Sequence, residues 1–399
     1  MKWVKVLAGI FAFILLLIAL NWSTIKRLNK VNTLFEPDVI VSNFSDMKAV
    51  LFSRDLPAAG DVHVWPETLS PLPQNVVIDG EDRDLDAFLD QSKTTALLVI
   101  KDGEILFEDY YLGTGQDDQR ISWSVAKSFL SAIFGIAVEQ GQIESLDDPV
   151  VKYVPSLKVS AYKDASIRNV LNMASGVKFN EDYLDRDSDI NKMGRVLALG
   201  QSMDGFAHGL KESELPAGTG RQYVSIDTHV IGMVLRAATG QDVHSYFMEN
   251  LWSRIGPGKD GYYLTDGKGE PFVLGGLNMR TRDYALFGQI MLQNGEWNGE
   301  QIIPAAWVAE STQASAPPDT EGTGFDYGYQ WWVPADSHGD YLAAGIYEQY
   351  IYVDPASNMV IVKNSANREF KSPAPSVKSF KHESVDVFRS IVDHYTNGS

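Results

Sequence analysis

The N-terminal part of the chain carries a continuous apolar pattern. Residues 6–20 contain no polar side chain, and basic residues stand on both sides of this run: Lys2, Lys5, Lys26, Arg27 and Lys30. Such a run is long for the core of a signal peptide and short for a membrane-spanning helix. The pattern predicts export to the periplasm or cell envelope. Residues 1–30 act in that case either as a cleaved signal peptide or as an anchor in the cytoplasmic membrane.

Patterns typical of β-strands occur towards both ends of the remaining chain. Residues 94–100 are rich in β-forming side chains, a Lys-Asp-Gly turn follows, and residues 104–111 continue the pattern. Residues 349–354 and 359–363 flank a turn that contains proline and asparagine. Short runs of this kind around turn residues predict two β-hairpins.

The middle of the chain has helical patterns instead. Residues 124–140 are apolar on nearly every side and are followed by Gly141, as expected for a buried helix. Further helices are predicted at 170–173, 229–238, 243–251 and 284–292, and a closing amphipathic helix carries Phe380, Val385, Phe388, Ile391, Val392 and Tyr395.

This order of elements predicts an α+β fold. Strands at both ends and helices between them favour one antiparallel sheet built from both chain ends, flanked by helices, as an α/β sandwich. An all-helical subdomain is inserted at about residues 140–270. Residues 31–75 are predicted to be an irregular lead-in. Residues 76–396 are predicted to form one large domain, called the main domain below.

Composition excludes several classes of function. The chain has 399 residues and a net charge of −18, and a nucleic-acid partner is not expected because phosphate binding requires a basic surface. With no cysteine, thiol catalysis and cysteine-ligated zinc are excluded. The seven histidines lack the spacing of metal ligands, so neither a metal site nor a cofactor is predicted. The oligomeric state is left open.

A serine followed three residues later by lysine is a candidate nucleophile–base pair. The pattern occurs at five serines, which are Ser23, Ser45, Ser124, Ser160 and Ser175. Only Ser124 opens a strong helix, where this spacing puts Lys127 on the same face. The helix N-terminus favours a developing oxyanion, and burial would lower the pKa of Lys127 towards that of an amine base.

A tyrosine about a hundred residues later is the second candidate. Tyr223 stands between a Pro-Ala-Gly-Thr-Gly turn and the helix that begins near Asp227, so its hydroxyl could face a nearby site. The pKa of a tyrosine, normally about 10, could fall beside an ammonium group. Either Lys127 or Tyr223 could then act as the base.

Several short segments occur together in a fixed order. They are Ser-Val-Ala-Lys at 124–127, Leu-Asn-Met-Ala-Ser-Gly at 171–176, Tyr-Val-Ser at 223–225, Gly-Gly-Leu at 275–277, Arg-Asp at 282–283 and Tyr-Gly-Tyr-Gln-Trp-Trp at 327–332. Over roughly Thr94 to Tyr395 the chain resembles the serine β-lactamase-like hydrolases. The likeness is greatest to the class C-related branch that contains carboxylesterases and 6-aminohexanoate-dimer hydrolases. The resemblance implies a β-lactamase/transpeptidase-like fold.

The same resemblance implies the remaining site residues. The backbone N–H groups of Ser124 and Ile346 would form the oxyanion hole, and Ser225 and Gly345 would contact the substrate. The third motif of these hydrolases usually carries a lysine, but here the matching stretch is Ala343-Ala344-Gly345. Without that cation, a substrate carboxylate is poorly held, which favours plain esters or amides.

The resulting hypothesis is an ester or amide hydrolase that forms an acyl-enzyme on Ser124. Two alternatives stay open: a D,D-peptidase or β-lactamase acting on cell-wall-like substrates, and a catalytically silent binding or sensor domain of the envelope. The expected partner is a small-molecule substrate, with membrane contact only through the N-terminal segment. An acidic stretch at 181–189 is interpreted as a solvated charge run, although it could attract a cationic amine.

Overall fold

The computed structural model describes residues 2–370 and 379–397. Helices dominate the N-terminus and the middle of the chain. The α-helices are α1 (Lys2–Leu20), α2 (Trp22–Asn32), α3 (Ile40–Ser45), α4 (Leu85–Gln91), α5 (Ala126–Glu139), α6 (Val150–Tyr153), α7 (Ile167–Leu171), α8 (Asp189–Ala198), α9 (Met203–Gly209), α10 (Ser225–Thr239), α11 (Val243–Phe247), α12 (Ser253–Ile255), α13 (Thr281–Leu292), α14 (Ala305–Ser311) and α15 (Phe380–Asn397). Shorter helical turns lie at Met47–Ala49, Trp123–Val125, Pro155–Val159, Ala161–Asp164 and Met248–Trp252.

Most of the strands lie towards the two ends of the main domain. They are β1 (Ser53–Leu56), β2 (Asn75–Ile78), β3 (Glu81–Asp84), β4 (Thr94–Lys101), β5 (Glu104–Tyr110), β6 (Arg120–Ile121), β7 (Gly261–Leu264), β8 (Leu277–Met279), β9 (Glu296–Trp297), β10 (Glu300–Gln301), β11 (Phe325–Tyr327), β12 (Trp332–Pro334), β13 (Tyr341–Gly345), β14 (Gln349–Asp354) and β15 (Met359–Ser365).

The main sheet is antiparallel and joins both ends of the chain. Its seven strands run in the order β11-β12-β13-β14-β15-β4-β5. The join is the pairing of β15 with β4, in which Met359 lies opposite Lys101. Both predicted hairpins are present, as β4–β5 and β14–β15. The α+β fold with a sheet drawn from both ends is therefore confirmed.

Alternation along β4 divides the hydrophobic core into two layers. Leu98 points to the face on which α13 packs, and it belongs to the same buried cluster as Phe287. Leu97, one residue earlier, belongs to the cluster on the opposite face together with Phe388 of α15. Successive side chains of a strand point to opposite faces, so a continuous apolar run is expected where helices cover both.

The lead-in is more ordered than the sequence pattern indicates. Instead of being irregular, residues 31–75 contain α3 and β1, and β1 pairs with β7 so that Ser53 lies opposite Leu264. A second sheet in the order β1-β7-β8-β6 results. The pairing of β1 with β7 joins segments about two hundred residues apart, which local patterns do not reveal. The segment predicted to be all-helical thus supplies one strand to this sheet.

The N-terminal helix is apolar and exposed. Residues Trp3–Leu20 have a mean hydropathy of 2.6, and none of them is buried against the rest of the protein. The length and composition are those of a membrane span or a signal sequence. Helix α2 begins after a single residue, and Arg27 of α2 donates a 2.7 Å hydrogen bond to the carbonyl of Ala198 at the end of α8.

Candidate active site

Ser124 lies in the helical turn that leads into α5. The preceding residue, Trp123, has a φ of 43°, in the left-handed region that side-chain-bearing residues rarely adopt. Its ring packs against Phe44 and Tyr347, with both pairs of ring centroids 5.5 Å apart. A residue in this region costs on the order of 1–3 kcal/mol and persists where its surroundings fix it. Packing from the lead-in therefore helps to hold the turn that presents the Ser124 hydroxyl.

Lys127 is buried beside this hydroxyl. Its Nζ lies 3.1 Å from Ser124 Oγ and donates a 2.8 Å hydrogen bond to the carbonyl of Leu274. Burial lowers the pKa of Lys127 to about 7, although the carboxylates of Glu181 and Asp227 act in the opposite direction. A substantial fraction of this amine is consequently neutral near pH 7 and able to accept a proton.

Tyr223 completes the cluster from the other side. It precedes α10, its ring stacks on Trp332 with centroids 5.2 Å apart, and Lys127 Nζ lies 5.4 Å from its ring centroid. Burial raises the pKa of Tyr223 above its ordinary value, despite a hydrogen bond with Ser124. The shift is opposite to the lowering considered from the sequence. The phenol stays protonated, which suits a proton donor better than a base.

The third motif approaches the nucleophile through its backbone. A Cβ placed on Gly345, at the end of β13, would lie 3.0 Å from the backbone nitrogen of Ser124 and 2.7 Å from the carbonyl of Ser122. Only glycine leaves room for this approach. Ile346 follows Gly345 and lines the cavity at Ser124, which is the neighbourhood required of an oxyanion-hole residue.

Ser225 is engaged by a carboxylate. Its Oγ donates a 2.5 Å hydrogen bond to Glu181, and its backbone nitrogen donates a second of 3.1 Å. Burial raises the pKa of Glu181, while Lys127 and these donors act to lower it. Glu181 thus binds the start of α10 and acts electrostatically on Lys127. It was predicted only as part of an acidic run, because nothing in its local sequence sets it apart from Asp182.

Two cavities meet at Ser124. The larger, of about 640 Å³, is lined by carboxylates from several loops, which are Glu181, Asp182, Asp189, Glu214, Glu321 and Glu348. The smaller, of about 500 Å³, has no acidic residue among those that line it. Ser124, Tyr183, Ile346 and Tyr347 line both. Part of the acidic run therefore faces the site, whereas Asp185 and Asp187 line neither cavity.

The absent lysine of the third motif has a partial counterpart. Lys381 of α15 lines the larger cavity, and its Nζ lies 3.1 Å from the ring centroid of Trp332. Burial and the neighbouring Arg221 lower the pKa of Lys381 to about 7. No motif marks this residue, because it reaches the site from the closing helix.

A buried ion pair supports the loop after β13. Tyr347 and Glu348 both have positive φ values, of 59° and 66°. The Glu348 carboxylate lies 2.8 Å from Nζ of Lys363, and both side chains are almost fully buried, at 1% and 0% exposed. Glu348 also accepts a hydrogen bond from Asn367. The loop after β13 is therefore stabilised by a buried ion pair that no sequence motif predicts.

The described residues, 2–370 and 379–397, bring together no group of three histidine, cysteine, aspartate or glutamate side chains that could hold a metal ion.

Comparisons with known proteins give a consistent result. The profile of the Beta-lactamase family matches residues 82–376. The 6-aminohexanoate-dimer hydrolase of Paenarthrobacter ureafaciens is 30% identical over 298 residues, which cover 71% of this chain and 75% of the relative. A Bacillus anthracis structure, provisionally assigned as a 6-aminohexanoate-dimer hydrolase, has a TM-score of 0.80 at 25% identity and covers 91% of this chain and 96% of its own. EstCE1, a hydrolase with promiscuous acyltransferase activity, is similar in fold, with a TM-score of 0.59 at 14% identity over 77% of this chain and 96% of its own.

Proposed function

The chain belongs to the Beta-lactamase family, and from this premise we propose that it is a serine hydrolase that cleaves an ester or amide through an acyl-enzyme on Ser124. One observation carries the proposal. The hydroxyl of Ser124 lies 3.1 Å from the amine of Lys127, whose pKa burial lowers to about 7. A buried neutral amine beside a serine is a general way of activating that nucleophile. The same geometry argues against a silent binding domain.

Lys127 is the base in this mechanism. It takes the proton of Ser124 Oγ while that oxygen bonds to the substrate carbonyl carbon. The tetrahedral oxyanion takes hydrogen bonds from the backbone N–H groups of Ser124 and Ile346, and losing one such donor typically costs about 10²–10³ in rate. The bond to the leaving group then breaks. Tyr223 protonates the leaving group and is reprotonated by Lys127, and water hydrolyses the acyl-enzyme.

The walls of the larger cavity limit the leaving group. Ala343 provides no cation where a penicillin or peptide carboxylate would need one, and the carboxylates that line the cavity outnumber its two lysines, Lys178 and Lys381. Substrates with neutral or cationic leaving groups are therefore favoured over cell-wall-like substrates, which carry a carboxylate. The Paenarthrobacter relative is named for hydrolysis of the 6-aminohexanoate dimer, and we extend to this chain only the cleavage of esters or amides.

A serine-directed fluorophosphonate tests the mechanism. We expect the full chain to be labelled, and Ser124→Ala to abolish labelling. Ser45→Ala is the matched control, since Ser45 also has a lysine three residues on but lies on α3 and lines neither cavity at Ser124. Nitrophenyl acetate should be turned over, and benzylpenicillin should not acylate the protein. Equal labelling of the Ser124→Ala protein would refute the proposed nucleophile.

We also propose that the protein is exported and retained at the cytoplasmic membrane by α1. None of the residues Trp3–Leu20 of α1 is buried against the rest of the protein. An exposed apolar surface of this size is unfavourable in water and favours insertion into a membrane. The protein should sediment with membranes and resist alkaline carbonate extraction. Release of a shortened mature form into the periplasm would instead identify residues 1–30 as a cleaved signal.

A further inference from the structure

The smaller of the two cavities shares Ser124 with the larger one, but no acidic residue is among the described residues that line it. Its walls are mostly apolar, although Arg186 and Arg195 also line it, and the apolar side chains come from three parts of the chain. Met193 and Leu197 of α8 form one wall, Phe272 and Leu274 form another, and Leu34 of the lead-in forms a third. All five side chains are buried. A volume of about 500 Å³ lies within the usual range for small-molecule sites, roughly 300–1,000 Å³.

The position of Tyr223 indicates which half of the substrate each cavity would hold. Tyr223 lines the acidic cavity and is not among the residues that line the apolar one. Under the proposed mechanism Tyr223 protonates the leaving group, so the leaving group occupies the acidic cavity. The acyl half of the substrate, which stays bonded to Ser124, then has the apolar cavity open to it.

We propose that this apolar cavity is an acyl-chain site and that the natural substrate is an ester or amide of a medium- or long-chain fatty acid with a neutral or cationic leaving group. This inference rests on the proposed function. The hydrocarbon chain lies along Met193 and Leu197 while the carbonyl carbon is bonded to Ser124 Oγ. Water then supplies the hydroxyl of the released fatty acid, and the Ser124 hydroxyl is restored.

The wall formed by the lead-in puts the cavity close to α1. Val31 and Asn32, at the end of α2, line the cavity. Helix α2 has 11 residues and begins one residue after α1, so its length of roughly 16 Å separates the cavity from the end of α1. At the surface beside the cavity, Leu184 is 78% exposed. With α1 in a bilayer, an acyl chain has a short path from the lipid surface to Ser124.

A chain-length series of nitrophenyl esters tests the acyl site. The full-length protein is held in phosphatidylcholine vesicles, so that detergent does not occupy the cavity. From acetate to octanoate we expect kcat/KM to rise about fourfold for each added methylene, the value of burying one such group. A flat series would overturn the acyl site. With Ser124 still labelled by fluorophosphonate, that result would leave the proposed hydrolase intact; loss of labelling and of all ester turnover would instead refute the hydrolase itself.

A plugging variant locates the effect. Gly194 lies on α8, lines the cavity, and a Cβ there meets nothing within 4 Å. Gly194→Phe therefore places a ring at the wall of the cavity, and its Cβ meets no neighbouring atom within 4 Å. Octanoate turnover should fall about tenfold or more, the loss of roughly two buried methylenes, while acetate turnover stays within about twofold. Gly209→Phe is the matched control, since Gly209 on α9 has equal space and lines neither cavity. An unchanged octanoate rate in Gly194→Phe would contradict the site.

A second arm identifies the source of the acyl chain. Phosphatidylethanolamine is added to the vesicles, and the release of free fatty acid is measured for the wild type and for Gly194→Phe. Release that the plugging variant abolishes makes membrane lipid the source. A steep chain-length series with no release assigns the same site to soluble acyl esters or amides.

Discussion

Among residues 2–370 and 379–397, two lysines are almost completely buried, and they differ in what they touch. Lys127 is 1% exposed and Lys363 is 0% exposed. Burial lowers the pKa of both. Lys363 lies 2.8 Å from the carboxylate of Glu348. Lys127 instead contacts the Ser124 hydroxyl and the Leu274 carbonyl.

The difference shows how one residue type serves two purposes at equal burial. A carboxylate in direct contact stabilises the ammonium form, so Lys363 and Glu348 form a structural ion pair beneath the loop after β13. The carboxylates that favour protonated Lys127 act without a direct hydrogen bond to it. An amine whose partners are a hydroxyl and a carbonyl can exchange its proton with the hydroxyl. The direct neighbours, more than the burial, separate Lys127, the proposed base, from the structural Lys363.

The largest expected effect is on catalysis at Lys127. Lys127→Met keeps the length of the side chain and removes the proton acceptor, so kcat/KM for nitrophenyl acetate should fall about 10²–10⁴-fold. The urea midpoint should not decrease, because a buried amine is replaced by an apolar group. Stopped-flow acylation and urea unfolding measure the two properties separately. An active Lys127→Met protein would transfer the base role to another group.

Lys363 should give the converse result. Lys363→Met leaves the Glu348 carboxylate buried and unpaired, which typically costs about 3–5 kcal/mol. We expect a lower urea midpoint at neutral pH. Lys363→Met combined with Glu348→Gln should recover part of the loss, because no isolated charge is then buried. An unchanged midpoint in the single variant would show that the pair of Lys363 and Glu348 does not stabilise the fold.

The pH dependence of catalysis tests how the neighbours of Lys127 set its protonation. The base form of Lys127 is the neutral amine, so kcat/KM should rise roughly tenfold per pH unit below about pH 7 and level off above it. Glu181 favours the ammonium form, so Glu181→Gln should move the inflection to lower pH, by about one unit. Glu214→Gln is the control, since Glu214 lines the same cavity but has no resolved influence on Lys127. Equal shifts in both variants would point to the general charge of the cavity.

The smallest effect is expected at Asp227. Burial raises the pKa of Asp227 to about 8, so most of this side chain is already uncharged at pH 7. Tyr162 donates a 2.7 Å hydrogen bond to it, which an asparagine oxygen can also accept. Asp227→Asn should therefore change kcat/KM at pH 7 by less than about twofold. A shift as large as that of Glu181→Gln would show that Asp227 is ionised.

The parts of this protein that sequence predicts are those encoded by local patterns. The hairpins β4–β5 and β14–β15 follow from turn residues between β-rich runs, and α5 follows from its apolar surface. The spacing of Ser124 and Lys127 within one helical turn predicts their contact, which the structure contains. Whether these residues, with Tyr223, Ile346, Ser225 and Gly345, perform the assigned roles stays a prediction.

The parts that sequence misses depend on distant contacts. Glu181 reaches Ser225 across 44 positions, and β1 meets β7 across about two hundred. Lys381 enters the cavity from a helix whose amphipathic pattern reports only its buried face. The raised pKa of Tyr223 has the same origin, because it depends on desolvation by strands and loops elsewhere in the chain. Charge and burial at a site are properties of the assembled fold.

The aromatic packing of the lead-in has a practical consequence for shortened forms of the protein. Phe35 stacks on Tyr347 at 5.2 Å and Phe44 packs edge-on against it at 5.1 Å, yet both precede residue 82, where the family likeness begins. A fragment trimmed to the family boundary would expose the Trp123 and Tyr347 rings to water and leave β7 as an uncovered sheet edge, a combination that promotes aggregation. Expression from about Val31 onwards keeps these rings covered while omitting the apolar helix.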